Sequence, residues 1–220
     1  MTEIQLLHDD IYKGNLILVN SAHALVQNEP PVLLSLMEDN TMNAYTMGTS
    51  IAMEINAAKL LFHLMDAVNC TDNIVPVSGY RSPSEQAKIY NDSLIKNGAD
   101  FTKKYVALPH HSEHQTGLAI DLALKQEQID FIRPYFPYDG ICQMFRNMAP
   151  MYGYIERYPK DKEAITGIAH EPWHFRYVGF PHSKIITEQN ATLEEYIDEL
   201  KTFPFDGKHF LYRHRNQIIE

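Results

Sequence analysis

Two short stretches of this chain hold residue types that do chemistry. The first, "SEHQTGLAID" (residues 112–121), sets His114 and Asp121 on either side of a glycine and small apolar residues. A carboxylate inside an apolar run is costly unless something pairs with it, so a positive partner is expected close to Asp121. The second, "HEPWHFRYV" (residues 170–178), carries Glu171 and His174. Pro172 disfavours helical backbone at Glu171, so this is not the helical HExxH arrangement. A regular strand puts residues three apart on opposite faces. Glu171 is therefore expected in an irregular lead-in and His174 inside a strand, the two reaching one small volume in different roles. His114, Asp121 and His174 together offer two imidazoles and a carboxylate, a set that suits zinc, and three protein ligands leave a position open as in catalytic sites. Glu171, nearby and not a ligand, would then serve as general base. The residues alone leave a second reading open, with two ordinary satisfied histidines and Asp121 capping a turn.

The rest of the composition narrows the choice. A formal net charge of -9 argues against nucleic acid or an anionic membrane as partner. The apolar segments are broken by charges too often to span a bilayer, and "MTEIQLLHDDIYKGNLILVN" lacks a basic start followed by a long apolar run. A soluble, cytoplasmic protein is expected. Only Cys70 and Cys142 are present, in no CxxC pattern. They cannot form a disulfide scaffold or a four-cysteine zinc site, so any metal must be held by histidine and carboxylate.

The elements that must position these groups can be read from periodicity and punctuation. "NLILVN" reads as a strand and "NEPPV" as a turn. "TSIAMEINAAKLLFHLMDAVNC" carries Ile51, Ile55, Ala58, Leu61, Phe62, Met65 and Val68 at helical spacing. "NIVPVSGY" reads as a strand ending at Gly79. In "RSPSEQAKIYNDSLIKNG", Ser82 caps, Pro83 suits the first helical position, Glu85 completes a capping box and Gly98 provides a stop, which predicts a helix over 83–97 with Arg81 just before it. "GLAIDLAL" reads as a buried strand, "ICQMFRNMAPMYG" as a helix disturbed near Pro150, and "YIERY" and "WHFRYVG" as strands. "TLEEYIDELK" reads as a helix capped by Thr192 and Glu195, and the tail is ambiguous. The mixed order favours an α+β fold over a doubly wound one.

"SEHQTGLAID" matches SxHxxGxAxD and "EPWH" matches ExxH, both signatures of the zinc D-alanyl-D-alanine peptidases, the VanX, VanY and VanXY enzymes of vancomycin resistance. "SGYRSPSEQ" resembles the arginine-bearing motif of the same family, in the right order. The similarity runs from about residue 73 to 200 and is closest to the bifunctional VanXY type. It implies one compact domain with a central antiparallel sheet, flanked by helices, that carries the zinc site. Residues 1–48 would be an N-terminal extension of short strands and loops packed on the core, 49–205 the peptidase core, and 206–220 a tail. It implies one Zn2+ at His114, Asp121 and His174, Glu171 as catalytic base, and Arg81 as the cation that stabilises the oxyanion. Gln86, Ser112, Ser78 and Trp173 fall where substrate is contacted; Ser78 stands where a VanXY relative would have aspartate. The implied partners are small peptides ending in D-Ala-D-Ala, and a homodimer stays open.

Other readings compete with this one. "SLIK" (Ser93 to Lys96) fits the SxxK of serine peptidases, but no KTG or SDN accompanies it. His110 and His111 are rival ligands, and Arg81 could instead be a surface residue pairing with Glu85. A catalytically silent zinc-stabilised cell-wall module and a related endopeptidase cutting an L,D bond are the functional alternatives. The segment between Tyr154 and His170 is the candidate loop for admitting longer substrates.

Overall fold

The structure is a computed structural model that describes residues 13–26, 30–36 and 51–202, with the backbone of 212–214 and 217–219. Strands β1 (Leu33–Ser35) and β2 (Ala52–Glu54) pair antiparallel. Helix α1 (Ile55–Val68) follows directly, so the helix begins at Ile55 and Ala52–Glu54, part of the helical pattern before it, is strand. Ile51 and Met53 are buried in the alternating manner of a strand. The Glu54 carboxylate accepts from the backbone N–H groups of Asn56 and Ala57, which sets the start of the helix.

Strand β3 (Ile74–Ser78) leads to α2 (Pro83–Asn97), where the capping box forms between Ser82 and Glu85 with Pro83 in the first turn. Helix α3 (Ala99–Tyr105), strand β4 (Ala119–Leu124), helix α4 (Gly140–Met148) and strand β5 (Tyr154–Tyr158) follow. A 3-10 turn, Ala149–Tyr152, carries Pro150 where α4 breaks. Helix α5 (Glu163–Thr166), strand β6 (Glu171–Tyr177), and helices α6 (His182–Glu188) and α7 (Leu193–Thr202) complete the main body. The expected cap of α7 is present: Thr192 Oγ1 accepts from Glu195 N and the Glu195 carboxylate from Thr192 N. In the tail, β7 (Tyr212–His214) pairs with β8 (Gln217–Ile219).

The sheet order is β3-β4-β6-β5, antiparallel throughout, so the α+β expectation holds. Alternation divides its faces. Ile120, Leu122, Phe175, Tyr177 and Tyr154 join α1 and α4 in the larger core. The residues between them, including Asp121, His174, Arg176 and Arg157, face the other way. Burying each such large side chain contributes roughly 1.5–3 kcal/mol, which fixes the register and hence the row of polar groups opposite.

"NLILVN" is not a strand. Gly14–Leu16 form a 3-10 turn and Asn20 makes only an isolated bridge with His23. The backbone groups of this stretch find side-chain partners instead of a ladder. Arg176 Nη2 donates to the carbonyls of Asn15 and Ile17, and Asn20 Oδ1 accepts from Ala22 N and His23 N.

Candidate metal centre and active site

Strand register sets the row of residues on which the site is built. Asp121 on β4 lies opposite Ser78 on β3 and opposite His174 on β6, a row across three strands. Directly opposed residues share a face with their Cβ atoms close together. Two irregularities tune the row. The β3–β4 register shifts between Pro76 and Ser78, which brings Ser78 opposite Asp121. On the other side of β6, Glu156 pairs with Phe175 but Tyr158 with Glu171, so β6 carries extra residues there. This bulge corrects the expectation for Glu171: it begins β6 itself rather than an irregular lead-in, and the bulge lets residues three apart approach one another. Pro172 has no N–H to offer the ladder, and Arg146 Nη2 donates to its carbonyl at 3.0 Å.

His114 comes from a 3-10 turn, Glu113–Thr116, that ends at Gly117 with φ 72°. A Cβ on Gly117 would sit 3.0 Å from the backbone N of Glu54, so glycine is needed both for the left-handed backbone and for the close approach to β2. His114 Nδ1 donates to the Gly79 carbonyl at 2.7 Å, which turns Nε2 toward Asp121 Oδ2 at 3.2 Å. His174 Nδ1 lies 2.8 Å from Asp121 Oδ1. One ligand atom from each of His114, Asp121 and His174 lies within 4.8 Å of the others, and all three residues are buried. Two neutral-capable imidazoles and a carboxylate, with the far nitrogen of His114 already satisfied, form a donor set that fits a divalent ion such as zinc.

Gly79 carries part of this geometry. A Cβ there would meet the Ala52 carbonyl oxygen at 2.3 Å, a backbone atom that cannot step aside. Gly79→Ala is expected to cost about 1–3 kcal/mol in urea denaturation and also to displace the acceptor that orients His114. An unchanged denaturation midpoint would contradict the packing.

Glu171 is buried with Oε2 3.8 Å from His174 Nδ1. Burial pushes its carboxyl up to about 8. Burial opposes a charge on His174, yet the Asp121 and Glu113 carboxylates outweigh it and hold the ring up at about 9. Burial, helped by the neighbouring Arg81, brings His114 down to about 4. Asp121 would be raised by burial, but the two histidines hold it well below the usual carboxylate range.

Arg81 turns inward rather than pairing with Glu85, whose carboxylate is taken by the capping box. Its Nη2 donates to Asp121 Oδ2 at 3.0 Å, Nε to Ser78 Oγ at 2.8 Å, and Nη1 to Gln86 Oε1 at 3.2 Å. Gln86 is itself fixed by donating to the Ala107 carbonyl. One cleft is lined by Arg81, Gln86, Ser112, His114, Asp121, Glu171, Trp173 and His174, with Phe131, Ile132 and Ile168 among its apolar walls. Ser78 does not line it and instead supports Arg81 from behind. Trp173 both lines the cleft and belongs to the larger core.

The rival readings separate from the cleft. Ser93 is buried and bonded to Thr102, and Lys96 is exposed, so SLIK is no serine centre. His111 bonds the Asn20 carbonyl and His110 is exposed. Tyr154–Tyr158 is strand β5, so only the chain beyond it could be a substrate loop; Ile168 from that part lines the cleft. Sequence reasoning missed Glu113, Arg157 and Arg176, which are buried together behind His174. The signal was present: Arg157 and Arg176 each sit inside a strand next to large aromatic residues, and buried arginines are paired.

Residues 50–180 match the family model VanY, described as D-alanyl-D-alanine carboxypeptidase. The chain is 45% identical over 188 residues to the bifunctional D-Ala-D-Ala dipeptidase and D-Ala-D-Ala carboxypeptidase VanXYC of Enterococcus gallinarum, covering 85% of this chain and 95% of that one. It superposes with a TM-score of 0.84 and 49% identity on the D,D-dipeptidase VanXYg in complex with a D-Ala-D-Ala phosphinate analogue, over 98% of this chain and 82% of the other. A mutant of the D,D-pentapeptidase VanY from a VanB-type resistance cassette, in complex with Zn(II), gives a TM-score of 0.63 at 28% identity, over 83% of this chain and 98% of that one.

Proposed function

Because the chain belongs to the VanY family of D-alanyl-D-alanine carboxypeptidases, we propose that it is a zinc metallopeptidase that hydrolyses D-Ala-D-Ala and removes C-terminal D-Ala from peptidoglycan precursor peptides, contributing to vancomycin resistance. The observation that carries this reading is the convergence of His114, Asp121 and His174 within one buried cluster, with Glu171 beside it and Arg81 reaching the same carboxylate.

His114 Nε2, an Asp121 carboxylate oxygen and His174 Nδ1 would hold the ion. Bound there, zinc supplies a Lewis acid for the scissile carbonyl, lowers the pKa of water, and as a local dication favours ionised Glu171. The Glu171 carboxylate takes the proton from the attacking water and returns it to the departing amine of the terminal D-alanine. Arg81, with its direction set by Ser78 and Gln86, presents a fixed positive charge to the carbonyl oxygen as it becomes negative. The buried Trp173 and the apolar wall of Phe131, Ile132 and Ile168 shield these polar groups from bulk water. No helix among the described residues is long and apolar enough to cross a membrane, which is compatible with the cytoplasmic location in this reading.

The test is D-alanine release from the D-Ala-D-Ala dipeptide, from a pentapeptide ending in D-Ala-D-Ala, and from a tetrapeptide with an L,D terminal bond. Each is assayed with zinc, after chelation and after zinc add-back. Release from the D,D substrates, abolished by chelator and restored by zinc, is expected. Turnover indifferent to chelator would remove the metal from the mechanism. A zinc-loaded chain inert on every peptide would favour the silent module.

A further inference from the structure

Behind His174 lies a buried charge network that the proposed chemistry does not use. Glu113 Oε1 accepts from Arg157 Nε and from Arg176 Nη1, both at 2.8 Å. Arg157 also makes a two-pronged pair with Glu194 of α7, at 2.6 and 2.8 Å. Arg176 places its Nε on the Tyr177 carbonyl and its Nη2 on those of Asn15 and Ile17. Two arginines and two glutamates balance in charge, and each guanidinium nitrogen of both arginines has a partner. Two atoms stand apart. Glu113 Oε2 and His174 Nε2 are both buried with no hydrogen-bond partner among the described residues, and they face one another 3.6 Å apart. That gap is too short to admit a water between them. Leaving a donor and an acceptor buried and unpaired is costly, so their juxtaposition calls for a reason.

We infer that Glu113 is a positioning residue for the metal centre, receiving the Nε2–H of His174 while the Nδ1 of the same ring faces the ion. The inference rests on the zinc reading above. A neutral imidazole that gives one nitrogen to a metal carries its proton on the other, and a carboxylate there fixes both tautomer and ring orientation. Two guanidinium groups occupy Oε1 and so leave Oε2 as the free acceptor with a set direction. Through Arg176, the carbonyls of Asn15 and Ile17 become part of this support, which links the N-terminal segment to the centre.

Zinc affinity of Glu113→Gln and Glu113→Ala, measured by competition with a chromophoric chelator, is expected to fall about 10–100-fold. The glutamine variant discriminates. It keeps the volume, but one end of an amide is a donor, so it cannot accept from both the arginines and His174. A space-filling role predicts wild-type affinity for it. Tyr154→Phe, which removes a buried bond to the Ala57 carbonyl in the opposite core, should lower Tm without changing zinc affinity. Because the alanine variant strands two buried arginines and could fail to fold, side-chain 15N NMR of the zinc-loaded wild-type protein supplies an independent reading. A slowly exchanging proton on His174 Nε2, with the metal-shifted resonance at Nδ1, is expected. Metal at Nε2, or zinc affinity unchanged in the glutamine variant, overturns the role of Glu113. A wild-type chain that takes up no zinc sinks the metal reading itself.

Discussion

Replacing Glu171 with alanine is expected to lower kcat on D-Ala-D-Ala by about 10²–10⁴-fold while zinc stays bound in wild-type amount. The separation of the two effects follows from geometry. Glu171 stands beside the cluster, its Oε2 3.8 Å from His174 Nδ1, and is not one of the three residues whose ligand atoms converge. Its removal takes away the proton carrier and leaves the donor set. Metal content by elemental analysis and steady-state kinetics check both halves, and a near-wild-type kcat would remove Glu171 as base. Stability gives a second handle on the same residue. In the metal-free chain its carboxyl is raised from 4.5 to about 8 by burial, so the folded state favours the protonated form. That contribution is fully present below about 4.5 and is lost as pH rises through about 8. Metal-free Glu171→Ala should therefore gain in Tm relative to wild type as pH increases across that window. A gap between the two that stays constant with pH would contradict the buried, raised carboxyl.

Much of this site was legible in the sequence because it rests on local rules. The capping box of Ser82 and Glu85, with Pro83 in the first turn, fixed where α2 starts, and with it the place of Arg81 at the edge of the cleft. The apolar run around Asp121 announced a carboxylate in need of partners, and the structure supplies His114, His174 and Arg81. What could not be read locally depends on which strand lies beside which. The bulge on β6 is defined against β5, so the approach of Glu171 to His174 is a property of a strand pair. The same holds for Glu113, whose partners Arg157 and Arg176 come from two different strands. The failure at "NLILVN" has a similar cause. Its pattern suits a strand, but its carbonyls are claimed by an arginine far along the chain, and long-range pairing overrides propensity.

Removing His174 should act on the metal instead of the proton carrier. Structural zinc sites bind with about 10–16 kcal/mol, so one ligand of four represents roughly 2.5–4 kcal/mol, and His174→Ala is expected to weaken zinc binding by about 10²–10³-fold. Calorimetry can test more than the size of that loss. In the metal-free protein burial disfavours the charged ring, but Asp121 and Glu113 prevail and hold His174 at about 9, so at neutral pH Nδ1 carries a proton that an incoming ion must displace. His114, kept at about 4 by burial, has none to give up at Nε2. Zinc uptake near pH 7 should therefore release a proton from His174, and affinity should climb with pH until about 9. Titrations in buffers of different ionisation enthalpy measure that release, which should be smaller in His174→Ala, where Glu171, held at about 8 without metal, is left to give up its proton. Equal proton release in the variant and the wild type would mean that another group yields its proton to the metal, and His174 would lose its place among the ligands.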